Sequence, residues 1–242
     1  KNIFNKLKLQ KVDMANIIKK NIKNKFIYSY YSSEEFFDFG TKKRLLKLKK
    51  GKFNKIKKKL IFIIDRDGTM IDEKNYVNAI GKIKFLKDFL FFFKQLKKFN
   101  PLIICITNQA GISKGFITYK QIHKLHKFLN IKLQKKLKLN VDAFYICPHF
   151  PEKGFKGEVK KYKIKCSCRK PQSSLFKLAN KNYNLNTAKI YNIGNNISDM
   201  IPGIKTNIKN NILINKKLKN NIIINKDGYK EMNYFTLTNK FK

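Results

Sequence analysis

The stretch Leu60-Ile-Phe-Ile-Ile-Asp65-Arg66-Asp67-Gly68-Thr69 constrains this chain more than any other. Its five leading residues are all apolar and mostly β-branched or aromatic. A strand made from them has no polar face for water, so it must be covered on both sides, as in a parallel sheet between two layers of helices. Two carboxylates follow at i and i+2, on one side of an extended backbone, and Gly68 lets the chain turn sharply away. Paired carboxylates at the end of a buried strand suit Mg²⁺, a hard cation that shares oxygen ligands with a substrate phosphate. A bare Asp-x-Asp is also compatible with a strand followed by an acidic turn.

Other segments repeat the arrangement. Leu102–Ile106 runs into Thr107-Asn108-Gln109-Ala-Gly111, Val141–Ile146 into Cys147-Pro-His149, and Lys189–Ile193 into Gly194-Asn195-Asn196-Ile-Ser-Asp199. Between them, helical patterns cover 85–99, ended by Asn100-Pro101, then 119–137 behind the cap residue Thr118, and 173–182. Strands alternating with helices predict an α/β, Rossmann-like three-layer sandwich with a mostly parallel sheet, whose ligands gather at the carboxyl ends of the strands. Ile212–Ile214 and Ile222–Ile224 read as edge strands, and 233–242 as a tail. His123 and His126, at i and i+3 on one helix, have no third ligand nearby in sequence and read as surface or satisfied residues.

Cys147 and His149 pair at close spacing with Cys166 and Cys168 across a loop. Three thiolates and an imidazole fit a closed tetrahedral Zn²⁺ site, structural because no coordination position is left open. A disulfide is the competing reading; a reducing compartment and the histidine in the pattern favour zinc. Cys105, inside a strand, reads as a small core residue.

The chain of 242 residues carries a formal charge of +40. Only Arg44, Arg66 and Arg169 are arginines; the rest of the positive charge is lysine, spread end to end among Asn, Ile and Phe. Those residue types share A/T-rich codons, so the charge reads as base bias and not as a clustered, arginine-containing nucleic-acid patch. No run of apolar residues is long enough for a membrane span or a secretory signal, so a cytoplasmic protein without membrane or specific nucleic-acid partners, and monomeric, is expected. The chain starts without Met and reads as a fragment of a longer product. Residues 1–57 form a basic N-terminal segment, in which Tyr30 to Leu45, with Asp38-Phe-Gly40-Thr41, resembles the end of a sugar-phosphate nucleotidyltransferase domain. Residues 58–232 form the main domain.

The four strand ends, carrying Asp65/Asp67, Thr107/Asn108, Arg169/Lys170 and Asn195/Asp199, resemble in order the four motifs of the haloacid dehalogenase superfamily. Within it, Asp-Arg-Asp-Gly-Thr, Tyr76-Val77, Thr-Asn-Gln-x-Gly-Ile, Cys-Pro-His, Cys-x-Cys-Arg-Lys-Pro and Ile-Gly-x-x-x-x-Asp-Met are similar to the heptose 1,7-bisphosphate 7-phosphatases. Ile71 is closer to the sister histidinol-phosphate phosphatases. This resemblance implies a phosphomonoesterase of nucleotide-heptose and lipopolysaccharide precursor synthesis, acting on a small phosphorylated sugar. In it Asp65 is the nucleophile, Asp67 the general acid and base, and Thr107, Asn108, Arg169 and Lys170 the phosphate and substrate ligands. Asp65, Asp67 and Asn195 are the expected Mg²⁺ ligands. The resemblance leads one to expect Gly-Asp followed directly by Lys where this chain has Gly194-Asn195-Asn196, so one metal carboxylate is replaced by an amide, with Asp199 near enough in sequence to compensate. Polynucleotide 3′-phosphatases share Asp-x-Asp-Gly-Thr but lack the Cys/His loop, and a non-catalytic scaffold is the remaining alternative.

Overall fold

The computed structural model describes residues 41, 60–72, 83–183, 185, 189–219 and 221–242. Tyr76-Val77 and nearly all of the N-terminal segment, with its nucleotidyltransferase-like stretch, lie outside them. Seven strands form one sheet: β1 Leu60–Ile64, β2 Leu102–Asn108, β3 Ala143–Cys147, β4 Lys189–Gly194, β5 Asn210–Ile214, β6 Ile223–Ile224 and β7 Lys230–Met232. Their order is β3-β2-β1-β4-β5-β7-β6. All pairs are parallel except β6 with β7.

Strand alternation divides the interior into two layers. Phe62 and Ile64 of β1 face helices α1 (Lys87–Leu96) and α3 (Tyr119–Leu137), packing with Phe89, Phe92, Phe93, Leu125, Leu129 and Leu133. Ile61 and Ile63 face the other way, toward Leu175, Phe176 and Ala179 of α4 (Ser174–Tyr183). Register places Phe62 opposite Tyr191, and their rings stack at 5.3 Å. Helix α2 (Ala110–Ser113) follows β2, and α5 (Ile197–Lys205) follows β4. The expected three-layer, mostly parallel architecture is therefore present.

Three expectations are corrected. Ile212–Ile214 is not at an edge: β5 lies between β4 and β7, because Lys230–Met232 adds a parallel strand that its short mixed sequence does not announce. The supposed tail is part of the core: Asn233 caps α6 (Tyr234–Asn239), accepting from Thr236 N at 2.8 Å, and buries Tyr234, Leu237 and Phe241 against α1 and β1. Helix α1 is shorter than 85–99, beginning at Lys87 and giving way to a 3₁₀ turn over Lys97–Phe99 that ends at Asn100 in left-handed conformation, φ 43°. Thr118, by contrast, caps α3 as expected, in a reciprocal capping box with Gln121.

The chain runs from β1 outward through β2 to β3, then returns to place β4 on the opposite side of β1. That reversal opens a crevice at the carboxyl ends of β1 and β4, the switch point at which open α/β sheets bind ligands. Among the described residues no helix is long and apolar enough to cross a membrane.

Candidate active site

Asp65 stands at this switch point. Its backbone N–H donates to Ile193 O at 2.9 Å, prolonging the β1–β4 ladder by one residue and bringing Asp65 beside Gly194-Asn195. The chain then reverses at Gly68 (φ 76°), where Gly68 N bonds Ile71 O and Ile71 N bonds Arg66 O. Only glycine enters this left-handed region without steric cost.

Lys170 reaches the same point from the Cys/His loop. Its Nζ is fully enclosed and donates to Asp65 Oδ1 at 2.5 Å and Ile106 O at 2.9 Å, and pairs with Asp199 Oδ1 at 2.7 Å. Burial is the largest influence on Asp65 and pushes its carboxyl up to about 7; the Lys170 cation opposes this, while Asp199 and Asp67 add to it. Burial works against the charge on Lys170, but the Asp65 and Asp199 carboxylates outweigh it and hold the ammonium above the ordinary lysine value. The site thus contains a buried, permanently charged cation beside a carboxylate of unusually high proton affinity.

Asn108, expected to bind phosphate, is committed elsewhere. Its Nδ2 donates to Lys170 O at 3.1 Å and its Oδ1 accepts from Lys170 N at 3.0 Å, so both ends of the amide fix the lysine backbone. Thr107 is buried at the end of β2, and its hydroxyl accepts from Gln109 Nε2 at 2.8 Å. Gln109 Nε2 also donates to Asp67 Oδ2 at 2.7 Å. Arg66 grips the same carboxylate through Nε and Nη2, at 3.0 and 2.8 Å. Of the three expected Mg²⁺ ligands, Asp65 and Asn195 are therefore neighbours across paired strands, whereas both carboxylate oxygens of Asp67 are held by Arg66 and Gln109. Asn195 Oδ1 accepts from Thr69 Oγ1 at 3.1 Å, so its oxygen faces the β1 loop.

Compensation by Asp199 is not open. Its Oδ1 is paired with Lys170, and its Oδ2 accepts from Asn195 N at 3.2 Å and Asn196 N at 3.0 Å as the far half of the α5 capping box. The contact is tight: a Cβ on Gly194 would lie 2.4 Å from Asp199 Cβ.

Cys147, His149, Cys166 and Cys168 do converge, with all four ligand atoms within 4.8 Å of one another. Sulfur–sulfur separations of 3.1 to 3.6 Å exclude a disulfide, whose bond is about 2.05 Å, and approach the edge of about 3.8 Å expected of a tetrahedron with metal–sulfur distances of about 2.3 Å. His149 Nδ1 lies 3.1 Å from Cys168 Sγ and 3.8 Å from Cys147 Sγ, completing the shell. Burial pushes the Cys147 thiol well above its ordinary value, so a cation is what would stabilise thiolate there. The donor set fits zinc. The loop is seated by Val159 N on Ser113 O at 2.9 Å and by close approach of Gly157 O to Gly115, where a side chain could not fit. Arg169 turns along this loop, with Nη1 3.4 Å from His149 O and its guanidinium over the Phe150 ring at 5.0 Å.

Arg66, Gln109 and His126 were not anticipated as parts of the site. His126 is only 4% exposed, stacks on Phe144 and contacts Arg66, and is neither a surface residue nor fully satisfied, since its Nδ1 has no partner. Its position one turn from Ile122 on the buried stripe of α3 was the available signal.

No protein-family model matches the chain. It is, however, 32% identical over 157 residues to the D-glycero-β-D-manno-heptose-1,7-bisphosphate 7-phosphatase of Haemophilus ducreyi, covering 65% of this chain and 83% of that protein. The chain belongs to this phosphatase family. The same-named proteins of Helicobacter pylori (34% identity; 62% of this chain, 81% of the relative) and Pasteurella multocida (33%; 73% and 90%) agree. Among solved structures, a D,D-heptose 1,7-bisphosphate phosphatase from B. bronchiseptica, complexed with magnesium and phosphate, superposes with a TM-score of 0.60 at 19% identity, over 74% of this chain and 96% of that one. A HAD-like phosphatase from Mesorhizobium loti gives 0.62 at 16% identity, over 75% and 83%. These two show the fold, haloacid dehalogenase-like, and the family relationship is consistent with it.

Proposed function

We propose that the chain is a phosphoric monoester hydrolase that removes the 7-phosphate of D-glycero-D-manno-heptose 1,7-bisphosphate, a step in supplying the heptose of lipopolysaccharide. The observation that carries the reading is Asp65 at the β1/β4 switch point, with Lys170 Nζ 2.5 Å away and Asp67 two residues on. The Asp65 carboxylate attacks phosphorus, the phosphorus–oxygen bond to the sugar breaks, and Asp67 gives its proton to the departing oxygen. Asp67 then takes a proton from water, which attacks the aspartyl phosphate, releasing inorganic phosphate and restoring Asp65. Lys170 holds the phosphoryl oxygens electrostatically, with the Thr107 hydroxyl as a second donor, and Asn108 positions Lys170. Arg169, next to Lys170 on the Cys/His loop, takes the remainder of the substrate. Asp65 and Asn195 would hold Mg²⁺, which would supply charge neutralisation for the transferring group.

The four cysteines are unpaired by disulfides, which supports a reducing, cytoplasmic setting. The test is phosphate release from heptose bisphosphate, histidinol phosphate and a 3′-phosphorylated oligonucleotide. Preference for the heptose is expected; preference for either other substrate would overturn the specificity, and no release from any would favour a non-catalytic scaffold.

A further inference from the structure

Arg66 lies between the two aspartates, yet its guanidinium is 2% exposed and points into the protein. Nε and Nη2 form a planar fork on Asp67, which fixes the plane of the carboxylate as well as its distance. Nη1 points away from Asp67, to His126 Nε2 at 3.1 Å. Arginine stays protonated, so Nη1 donates and Nε2 must carry the lone pair. The proton of the imidazole then sits on Nδ1, the atom that lacks a partner. Burial first, then the nearby charges of Arg66 and His123, hold His126 well below its ordinary value, so the ring is neutral. Phe144 of β3 lies 4.0 Å from it at an interplanar angle of 12° and fixes the ring plane. A buried donor without a partner costs about 1–3 kcal/mol. A leucine would fill this place without that cost, and what the histidine provides is an acceptor for Nη1.

We propose that His126 and Arg66 are positioning residues for Asp67: His126 fixes the rotation of the Arg66 guanidinium, and the guanidinium aims the Asp67 carboxylate at the leaving oxygen. This rests on Asp67 as the general acid. It separates substrates by leaving group. A sugar alkoxide leaves poorly without a proton, whereas p-nitrophenolate needs none, so misplacing Asp67 slows transfer from a sugar phosphate far more than from an aryl phosphate.

The experiment compares single-turnover phosphoryl transfer in wild type, His126→Leu and His126→Gln. In His126→Leu, transfer from heptose bisphosphate should fall by at least about tenfold, a modest share of the 10²–10⁴ that positioned acids contribute, while transfer from p-nitrophenyl phosphate changes by less than about threefold. His126→Gln, whose Oε1 can accept from Nη1, should recover part of the loss. Equal losses on both substrates would mean a merely structural role and overturn the proposal. A second measurement needs no turnover and no variant that folds: ¹⁵N NMR of the wild-type ring should show the neutral Nδ1–H tautomer at pH 7. An Nε2–H tautomer or an imidazolium would overturn the proposal. A wild type inert toward every phosphomonoester but showing the Nδ1–H tautomer would instead sink the functional reading and leave the geometry standing.

Discussion

Replacing Asp65 with Asn should shift the stability of the Mg²⁺-free protein in the variant's favour as pH rises, while ending its chemistry. Burial, with Asp199 and Asp67 adding and Lys170 opposing, raises the Asp65 carboxyl from an ordinary 3.8 to about 7. Below pH of about 4 both native and unfolded states hold this proton, and nothing is lost. As pH rises the unfolded chain releases it while the native state retains it, so stability falls until pH passes about 7, where the native group also ionises and the loss levels off. A shift of about three units at 1.36 kcal/mol each is about 4 kcal/mol, and the group is enclosed, so little of this is lost to solvent screening. The amide introduced by Asp65→Asn carries no such titration. The stability difference between variant and wild type should therefore grow by about 4 kcal/mol from pH 4 to pH 7.5, or roughly 8–16 °C for a domain of this size. Thermal or urea unfolding across this range, in Mg²⁺-free buffer without chelator so that zinc is undisturbed, reads it directly. A difference that does not change with pH would refute the argument, as would phosphatase activity in the variant, because an amide cannot serve as the nucleophile.

Three further outcomes follow from the same structure. Purified protein should contain about one zinc per chain, and Cys168→Ser should lower both zinc content and melting temperature; metal-free protein with an unchanged melting curve would remove the site. Leu237→Ala should cost about 2–5 kcal/mol by cavity formation in urea unfolding, because α6 is core and not tail; a cost below about 0.5 kcal/mol would contradict its packing. Asn195→Asp should raise activity at limiting Mg²⁺ by at least about tenfold, or roughly 1.4 kcal/mol, and matching Mg²⁺ titrations would show that position 195 is not a ligand.

What was legible in the sequence was whatever a local pattern encodes. The apolar runs at Leu60, Leu102 and Lys189 gave strands, their polar ends gave the site, and the Cys-x-His and Cys-x-Cys spacing placed four ligand atoms that meet in space. Strand order is not local, so nothing in the short run Ile212–Ile214 shows that β7 lies beside it. Short elements are also poorly encoded: Lys230–Met232 and Tyr234–Asn239 are too brief for periodicity to show, although Asn233 is a capping residue in plain view. Arg66, Gln109 and His126 were missed because a polar residue in a buried pattern acquires meaning only from its partners, here 60 and 42 residues apart in sequence.

Those partners also explain how the site can hold so much polarity away from water. Asp65, Arg66, Thr107, Gln109, His126, Lys170 and Asp199 are all buried at one end of the sheet. Isolated, each charge would be strongly destabilising, and removing one member of such a set typically costs about 3–5 kcal/mol. Here the charges alternate: Lys170 sits between Asp65 and Asp199, and Arg66 pairs with Asp67. The backbone and cap bonds of Ile106, Asn108, Asn195 and Asn196 hold Lys170 and Asp199 in place, so the arrangement exists before any substrate arrives. Such preorganisation is what lets fixed charges act on a developing phosphoryl charge without reorienting. The interior of the sheet bears the cost. Phe62, Phe92, Tyr191 and Phe241 interlock on the β1 face that packs against α1, with ring centroids 5.1 to 5.8 Å apart across α1, β1, β4 and the residues just after α6. The final helix is therefore coupled to the candidate site: Tyr234 Oη donates to Thr69 O at 2.8 Å, tying the aromatic core to the loop that carries Asp65 and Asp67. Loosening α6 should be felt in the loop that carries Asp65 and Asp67 before it is felt at the Cys/His cluster.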